Sequence, residues 1–271
     1  MKEQPSSPDF DVALVGGGPA GAVAGRLLAL WGHSVIVLTR PGSQSSLLGE
    51  SLPPSTRKIL ERVGALEAVE AAGFVRSTGH TVWWGESHGR VEAFPERESG
   101  FQVLRSDLDR VLLALAKEAG ARVEGDAAVR DVRIEGDIHR IEYTIGNTMA
   151  GDRTQTVRAR WVLDCSGRSG VVARSYRRQQ EGYATLALVG VWRRSGGWPV
   201  RDPTHTLVES FADGRVQVRR LRITEESDIL EKPLKDLELP SGVLVGGVTR
   251  GESFHVPTRL FIINLYCRVV F

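Results

Sequence analysis

Asp11–Val15 carries an unbroken apolar run, Val12 to Val15, the pattern of a strand buried on both faces of a parallel sheet. Gly16-Gly-Gly-Pro-Ala-Gly21 follows at once, and then Val23, Leu27, Leu28 and Leu30 recur at helical spacing as far as Gly32. A second apolar run, Ser34–Leu38, closes a βαβ unit of about 30 residues. Downstream, Ile59, Leu60, Val63, Leu66 and Val69 predict a helix over Arg57–Val69, with Pro53 and Pro54 as a turn and Ser55 as its N-cap. Leu104–Leu113 predicts another helix, capped by Ser106 and carrying Asp107 and Asp109 in its first turn. Arg160–Asp164 reads as a strand running into Cys165-Ser-Gly-Arg-Ser-Gly170, with a helix expected from about Val171.

Other stretches alternate apolar and polar residues with a period of two. Val123–Gly125, Ala128–Ile134, Ile138–Ile145 and Thr154–Arg158 predict an antiparallel meander inserted in the parallel sheet. Tyr183–Trp192, His205–Phe211 and Arg215–Ile223 predict a second sheet. The expected fold is therefore α/β: a Rossmann-like three-layer domain with an inserted β meander, interleaved with a second, β-sheet domain. The first domain takes residues 9–78 and 102–178, the second 79–101 and 179–271.

The first turn carries the clearest chemistry. Gly16 permits a tight turn off the strand, Gly18 leaves the backbone bare for a pyrophosphate, and Gly21 lets the helix pack on the strand. Pro19 and Ala20 open that helix, whose N-terminus offers N–H groups and partial positive charge to phosphates. The acidic residue that binds a ribose hydroxyl in such units is missing: Thr39 and Arg40 stand there. Thr39 can make a weaker hydrogen bond, and Arg40 suits a phosphorylated ribose, so the motif says dinucleotide without saying which.

Composition narrows the class. Net charge is +2, from 35 basic against 33 acidic residues, which asks for neither nucleic acid nor an anionic membrane as partner. Arg193, Arg194, Arg201, Arg215, Arg219, Arg220 and Arg222 crowd the last third and read as solvated strand faces. Cys165 and Cys267 imply neither a disulfide framework nor a zinc site and suit a reducing, cytoplasmic setting. No apolar run approaches the roughly 20 residues of a membrane span, and Met1–Asp9 has no targeting pattern.

Taken alone, Glu50 is a surface carboxylate, Arg105 a helix-terminal charge, and Asp164 the cap of a turn. His80 and His88, near Trp83 and Trp84 in an expected strand pair, read as satisfied polar residues rather than general bases. Taken in order, Gly16–Gly21, Gly49-Glu-Ser-Leu-Pro-Pro-Ser55, Arg105–Leu113 and Asp164-Cys-Ser-Gly-Arg168 resemble the flavin-dependent monooxygenases of the aromatic-hydroxylase type, and more closely their flavin-halogenase branch. The resemblance covers roughly residues 10–214. It implies FAD as cofactor, with Glu50 and Ser51 beside the flavin, Arg105 contacting the cofactor, and Asp164 and Gly167 supporting its pyrophosphate and ribityl region. It further implies that reduced FAD forms a C4a-hydroperoxide that transfers oxygen to a small, electron-rich, aromatic substrate. NAD(P)H or a separate flavin reductase supplies the electrons.

Three departures qualify it. Halogenases of this type use a lysine after the GES segment, whereas no lysine lies between Lys58 and Lys117, where Arg76 is the nearest basic residue of the expected stretch. The Trp-x-Trp-x-Ile-Pro signature of tryptophan halogenases is also absent, so monooxygenation is expected over halogenation. The family's second flavin motif, Gly-Asp before a proline-containing helix, has no counterpart after Asp164: the Gly-Asp pairs stand at 125–126, 136–137 and 151–152. The expectation is a chain shortened or frame-altered relative to its relatives, with an inactive binding fragment as the alternative and an NADP-dependent reductase, suggested by Thr39-Arg40, as a third.

Overall fold

The computed structural model describes residues 7–40, 48–84, 89–95, 98–146, 153–178 and 201–210, and the backbone of strands at 220–222, 247–250, 253–255 and 267–270. Four strands form the parallel centre: β1 (Phe10–Val15), β2 (Val35–Leu38), β8 (Arg122–Glu124) and the carboxyl half of β11 (Arg153–Asp164). They stand in the order β8-β2-β1-β11, with Val12 opposite Val35 on one side and Trp161 on the other. The order reverses at β1, and ligands of such sheets sit at the carboxyl ends of the strands beside that reversal.

Alternation along the central strands sorts the core into two layers. Val12, Leu14, Val35 and Val37 face helices α1 (Pro19–Leu30) and α4 (Arg105–Glu118), meeting Ala22, Leu108, Leu112, Leu113 and Ala116. Ala13, Ile36 and Leu38 face the other way, against Ala127, Ile141, Tyr143, Val157 and Ala159. That second layer is built by the meander β9 (Ala127–Glu135), β10 (Ile138–Ile145) and β11. The sheet curls over itself, so that the Ala127 N–H reaches the Thr39 carbonyl at 2.8 Å. On the helix side, no described element covers β11, and Trp161 is 67% exposed.

The predicted meander is present with altered membership. Of Val123–Gly125, Val123 and Glu124 belong instead to β8, the far parallel edge, and Thr154–Arg158 and Arg160–Asp164 are one continuous strand. The amino half of β11 pairs antiparallel with β10 and its carboxyl half parallel with β1, so one strand serves both patterns. Two Gly-Asp pairs are turns of this region: 125–126 between β8 and β9, with Asp126 at φ 55°, and 136–137 in the β9–β10 hairpin, with Gly136 at φ 65°. The pair at 151–152 lies outside the described residues.

The expected helix over Arg57–Val69 is two helices, α2 (Ser55–Arg62) and α3 (Leu66–Ala71). Gly64 breaks it by adopting φ 65°, the left-handed stop that ends many helices, and Ala65 then donates back to Leu60. Arg26 of α1 fastens this break: Nε donates to Val63 O at 3.0 Å, Nη2 to Gly64 O at 3.2 Å and Nη1 to Leu115 O at 3.1 Å. Arg26→Ala strips three carbonyls of a charged donor and is expected to cost about 2–3 kcal/mol in chemical denaturation. A loss under about 0.5 kcal/mol would mean that water replaces the guanidinium freely.

Both predicted caps are corrected. Pro54 occupies the N-cap of α2, and Leu104 that of α4, neither with a side-chain cap bond. Ser55 lies one place further in and Ser106 two, because each helix starts earlier than its apolar rhythm. No helix starts at Val171; two short 3-10 turns, Gly167–Ser169 and Arg174–Tyr176, stand there.

Two smaller, three-stranded sheets are also formed. β3 (Gly49–Leu52) and β4 (Val75–Ser77) flank β7 (Gly100–Leu104), so the GES segment is a paired strand. β5 (Gly79–Trp84) lies between β6 (Arg90–Ala93) and β12 (Thr206–Ser210). His80 bonds Glu92 at 2.6 Å and sets its ring against Phe94, the satisfied polar role expected of it. His88, the Trp84 side chain and Tyr183–Trp192 lie outside the described residues. Of the late arginines only Arg201 has a described side chain, and it is exposed.

A second compact unit takes Trp84–Glu86, Tyr183–Trp198 and Glu209–Phe271. Its described backbone forms a four-stranded antiparallel sheet in the order β13 (Arg220–Arg222), β16 (Cys267–Val270), β14 (Gly247–Arg250), β15 (Ser253–His255). Among the described residues no helix is long and apolar enough to cross a membrane.

Candidate dinucleotide site

The chain leaves β1 at Gly16, whose φ of 114° only glycine adopts freely and whose N–H donates to Leu38 O at 2.8 Å. A Cβ on Gly16 would stand 2.4 Å from the Cys165 carbonyl, and one on Gly21 1.9 Å from the Gly16 carbonyl. The turn is thus wedged between β11 and the helix it feeds. Gly18 differs: a Cβ there would approach only the Arg105 Nη2, at 3.1 Å. Its Cα is bare toward that guanidinium. α1 begins at Pro19, with no side-chain cap and no acidic residue in its first turn. The N–H groups of Ala20 and Gly21 accordingly have no intrahelical acceptor, which is how helix N-termini receive anions.

Thr39 is only 3% exposed. Its Cβ and Oγ1 lie 2.7 and 2.8 Å from where a Cβ on Gly17 would be, so it packs beneath the turn. Arg40 is exposed at the carboxyl end of β2. The pairing β3–β7 brings Glu50 opposite Val103 and so close to the start of α4. There Arg105 Nη1 donates to Glu50 Oε1 and its Nε to Asp109 Oδ1, each at 2.8 Å. Burial works against the Arg105 charge, but the two carboxylates outweigh it and raise its pKa. Burial likewise pushes the Asp109 carboxyl up, against the pull of Arg105. Ser51 points its hydroxyl to that of Thr206 at 2.5 Å, and Gln102 Nε2 donates to the same Thr206 hydroxyl at 2.8 Å.

Asp164 ends β11 beside Gly16. Its Oδ1 accepts from the Ser166 N–H and hydroxyl, and its Oδ2 from Val172 N–H at 2.9 Å and Ala173 N–H at 2.7 Å. These bonds coil residues 165–173 around the carboxylate, which is why the expected helix does not form. Burial raises the Asp164 pKa, and the hydrogen bonds from Ser166, Ala173 and Val172 outweigh it, leaving the group below the ordinary carboxylate range. Gly167, at φ 65°, has no atom within 4 Å of where a Cβ would stand, so its Cα is open. Arg177 holds the far side of this loop by donating to Gly167 O at 2.7 Å.

Asp164→Asn is expected to lower stability by about 1–3 kcal/mol, since three backbone N–H groups and a hydroxyl lose a charged acceptor. The folded-state pKa lies below that of the unfolded chain, roughly 3.9. The stabilisation is therefore complete above that value and disappears as pH falls through the folded pKa. Urea titrations from pH 7 down to pH 3 should show a shallower acid decline for the variant; parallel curves would contradict the assignment.

Gly16, Gly18, Pro19, Ala20, Gly21, Glu50, Arg105, Asp164 and Gly167 thus meet at the carboxyl ends of β1 and β11 and the start of α4. Ser51 is turned to Thr206, and Thr39 is packed away under Gly17. Sequence reasoning missed Asp109 as the partner of Arg105; its signal was an acid at i+4 on an apolar helix face. It missed Ser166 and Arg177 too, which act through loop geometry that no periodicity reports. Burial first, and then the Asp164 charge, push the Cys165 thiol up, so it is no ready nucleophile. The arrangement has the features that bind a diphosphate: a bare glycine, free helix N–H groups and a guanidinium.

A family model described as FAD binding domain matches residues 9–213. The tryptophan 2-halogenase of Chondromyces crocatus is 33% identical over 187 residues, which are 67% of this chain and 35% of the halogenase. A solved flavoprotein/dehydrogenase from Cytophaga hutchinsonii is 28% identical, with a TM-score of 0.53, over 61% of this chain and 41% of that one. The p-nitrophenol 4-monooxygenase of Pseudomonas putida shares the fold, at 19% identity and a TM-score of 0.52, over 61% of this chain and 43% of that one. The chain spans about a third of the length of the curated halogenase that it matches.

Proposed function

The chain belongs to the family of FAD binding domains, and from that premise we propose that it seats FAD for a flavin-dependent monooxygenase acting on a small aromatic substrate. One observation carries the cofactor assignment. The bare Gly18 Cα, the uncapped start of α1 and the Arg105 guanidinium converge on one place, and a diphosphate needs all three: close approach, N–H donors and positive charge. The residues present fit the group. Gly16–Gly21 would receive the pyrophosphate, with Arg105 beside it; Glu50 and Ser51 would border the flavin, and Asp164 shapes the loop that presents Gly167. Arg40, exposed at the end of β2, would lie toward the ribose, and Thr39 would support the turn from beneath.

When bound, FAD supplies redox chemistry with oxygen. This chain's own part is to hold the diphosphate, orient Arg105 through Glu50 and Asp109, and keep the β11 loop closed around Asp164. Residues 9–78 and 102–178 form the cofactor-binding domain in this reading, and 79–101 with 179–271 the substrate domain. Electrons come from NAD(P)H or from a separate flavin reductase, and the setting is cytoplasmic.

Halogenation is a second reading, favoured by the 33% identity to a tryptophan 2-halogenase. Against it stands the lack of a lysine between Lys58 and Lys117; Arg76 in that stretch is exposed and faces Glu70 at 3.8 Å. Titration with FAD tests the cofactor: a bound-flavin band at about 450 nm is expected, a property of the cofactor itself. Turnover of aromatic substrates under labelled dioxygen, with halide present, tests the reaction. Label in the product supports monooxygenation, and a carbon–halogen product replaces it with halogenation. A protein that takes no flavin at saturating FAD sinks both.

A further inference from the structure

Arg105 and Asp109 stand where local helix energetics disfavours them. Arg105 is the first residue of α4, so its positive charge meets the positive end of the helix dipole. Asp109 follows at i+4, the less favourable orientation for an ion pair within a helix. Asp109 is also only 6% exposed, on a buried face that, Ser106 apart, is otherwise made of Leu108, Leu112, Leu113 and Ala116. A buried carboxylate on an apolar face costs desolvation, and well-packed apolar side chains often serve stability better than a buried ion pair. It also adds negative charge near a seat for diphosphate. Features that break local preference in this way mark function more often than stability.

The geometry shows what is gained. Of the three guanidinium nitrogens, Nε is held by Asp109 on the helix itself and Nη1 by Glu50 across on β3. The two anchors pull from different elements, so the plane of the guanidinium has no free rotation. The remaining nitrogen, Nη2, has no protein partner among the described residues and lies against the Gly18 Cα. We propose that Asp109 is a positioning residue for FAD binding: it folds Arg105 back along α4 so that Nη2 is presented at Gly18. Without it, Glu50 can take Arg105 through both terminal nitrogens, the bidentate geometry that guanidinium and carboxylate favour, which withdraws Nη2 from the turn. The role assumes that this turn seats FAD, as proposed above.

The test is a double-mutant cycle on the full chain, read as FAD affinity from quenching of flavin fluorescence, with melting of the FAD-free protein as control. Asp109→Asn is expected to weaken FAD about tenfold, the lower end of what is lost when the outer partner of a ligand-binding side chain is removed. Melting should change little or rise. Asp109→Glu, which keeps the charge, should recover part of the affinity. In an Arg105→Ala background Asp109→Asn should have no further effect, because its action runs through Arg105. Should Asp109→Asn fold poorly, Arg105→Lys serves instead: an ammonium has one nitrogen, so it cannot pair with Asp109 and Glu50 and still present another nitrogen at Gly18, and a similar tenfold loss is expected. Equal losses with and without Arg105, or an Asp109→Asn protein that binds like wild type, would overturn the role. Wild type that takes no FAD fails the cofactor assignment itself, a result separable from wild-type binding with an indifferent Asp109→Asn.

Discussion

Gly18→Glu develops no bound-flavin band at FAD concentrations that saturate the wild type, an affinity loss of at least about 100-fold, or 2.7 kcal/mol. The Cβ of the new side chain stands 3.1 Å from Arg105 Nη2, so its carboxylate has a guanidinium within immediate reach. It pairs there, neutralises the charge meant for the diphosphate, and fills the space above the bare Cα. A second negative group then meets the phosphates at close range in a partly buried site. Gly18→Ala separates the two causes. Its methyl meets only the Arg105 Nη2, at 3.1 Å, which must give by a few tenths of an ångström, so the fold persists and affinity falls by a smaller factor. Melting curves should place both variants near wild type. An unchanged FAD titration in Gly18→Glu would remove the turn from the site.

Gly21→Val has the largest expected effect on folding. A Cβ at Gly21 would lie 1.9 Å from the Gly16 carbonyl and 3.2 Å from the Cys165 Cβ, both held by strands of the parallel sheet. Nothing flexible can give way: the first is backbone, and the second sits on the residue whose N–H bonds Val15 O at 2.9 Å. α1 must lift off the sheet, and with it go the contacts of Ala22 with Leu14 and Val37 in the core. The cost is expected at about 3 kcal/mol or more, the upper range for overpacking a tight interior. Gly125→Ala is the control, since Gly125 has neither a positive φ nor any atom within 4 Å of its missing Cβ. It should stay within about 0.5 kcal/mol of wild type in the same urea titration. A Gly21→Val protein as stable as wild type would contradict the close packing of α1 on this turn.

The first βαβ unit was readable because every signal in it is local. Unbroken apolar runs, a helical rhythm and glycines at fixed offsets together specify strand, turn and helix without reference to distant residues. The same holds for the meander's alternation, though not for its membership. Val123 looked like a meander strand because apolar residues flank its polar neighbours. Only its pairing with Val37 places it at the parallel edge. Arg57–Val69 kept its rhythm through Gly64, since periodicity counts side chains and does not register a left-handed φ. The helix expected after Gly170 failed because the carboxylate that ends the preceding strand claims the N–H groups of Val172 and Ala173.

By itself the sequence determined a glycine-rich strand–turn–helix at Gly16–Gly21, the α/β class, and a set of motifs that belong together, because local sterics and hydrophobic period are properties of neighbouring residues. Tertiary structure alone decided which charges meet: that Arg105 lies between Glu50 and Asp109 with one nitrogen at Gly18, and that Thr39 is buried under Gly17. Glu50 and Arg105 are 55 residues apart, and electrostatic partnership depends on distance through space, which only the packed sheet and helices set.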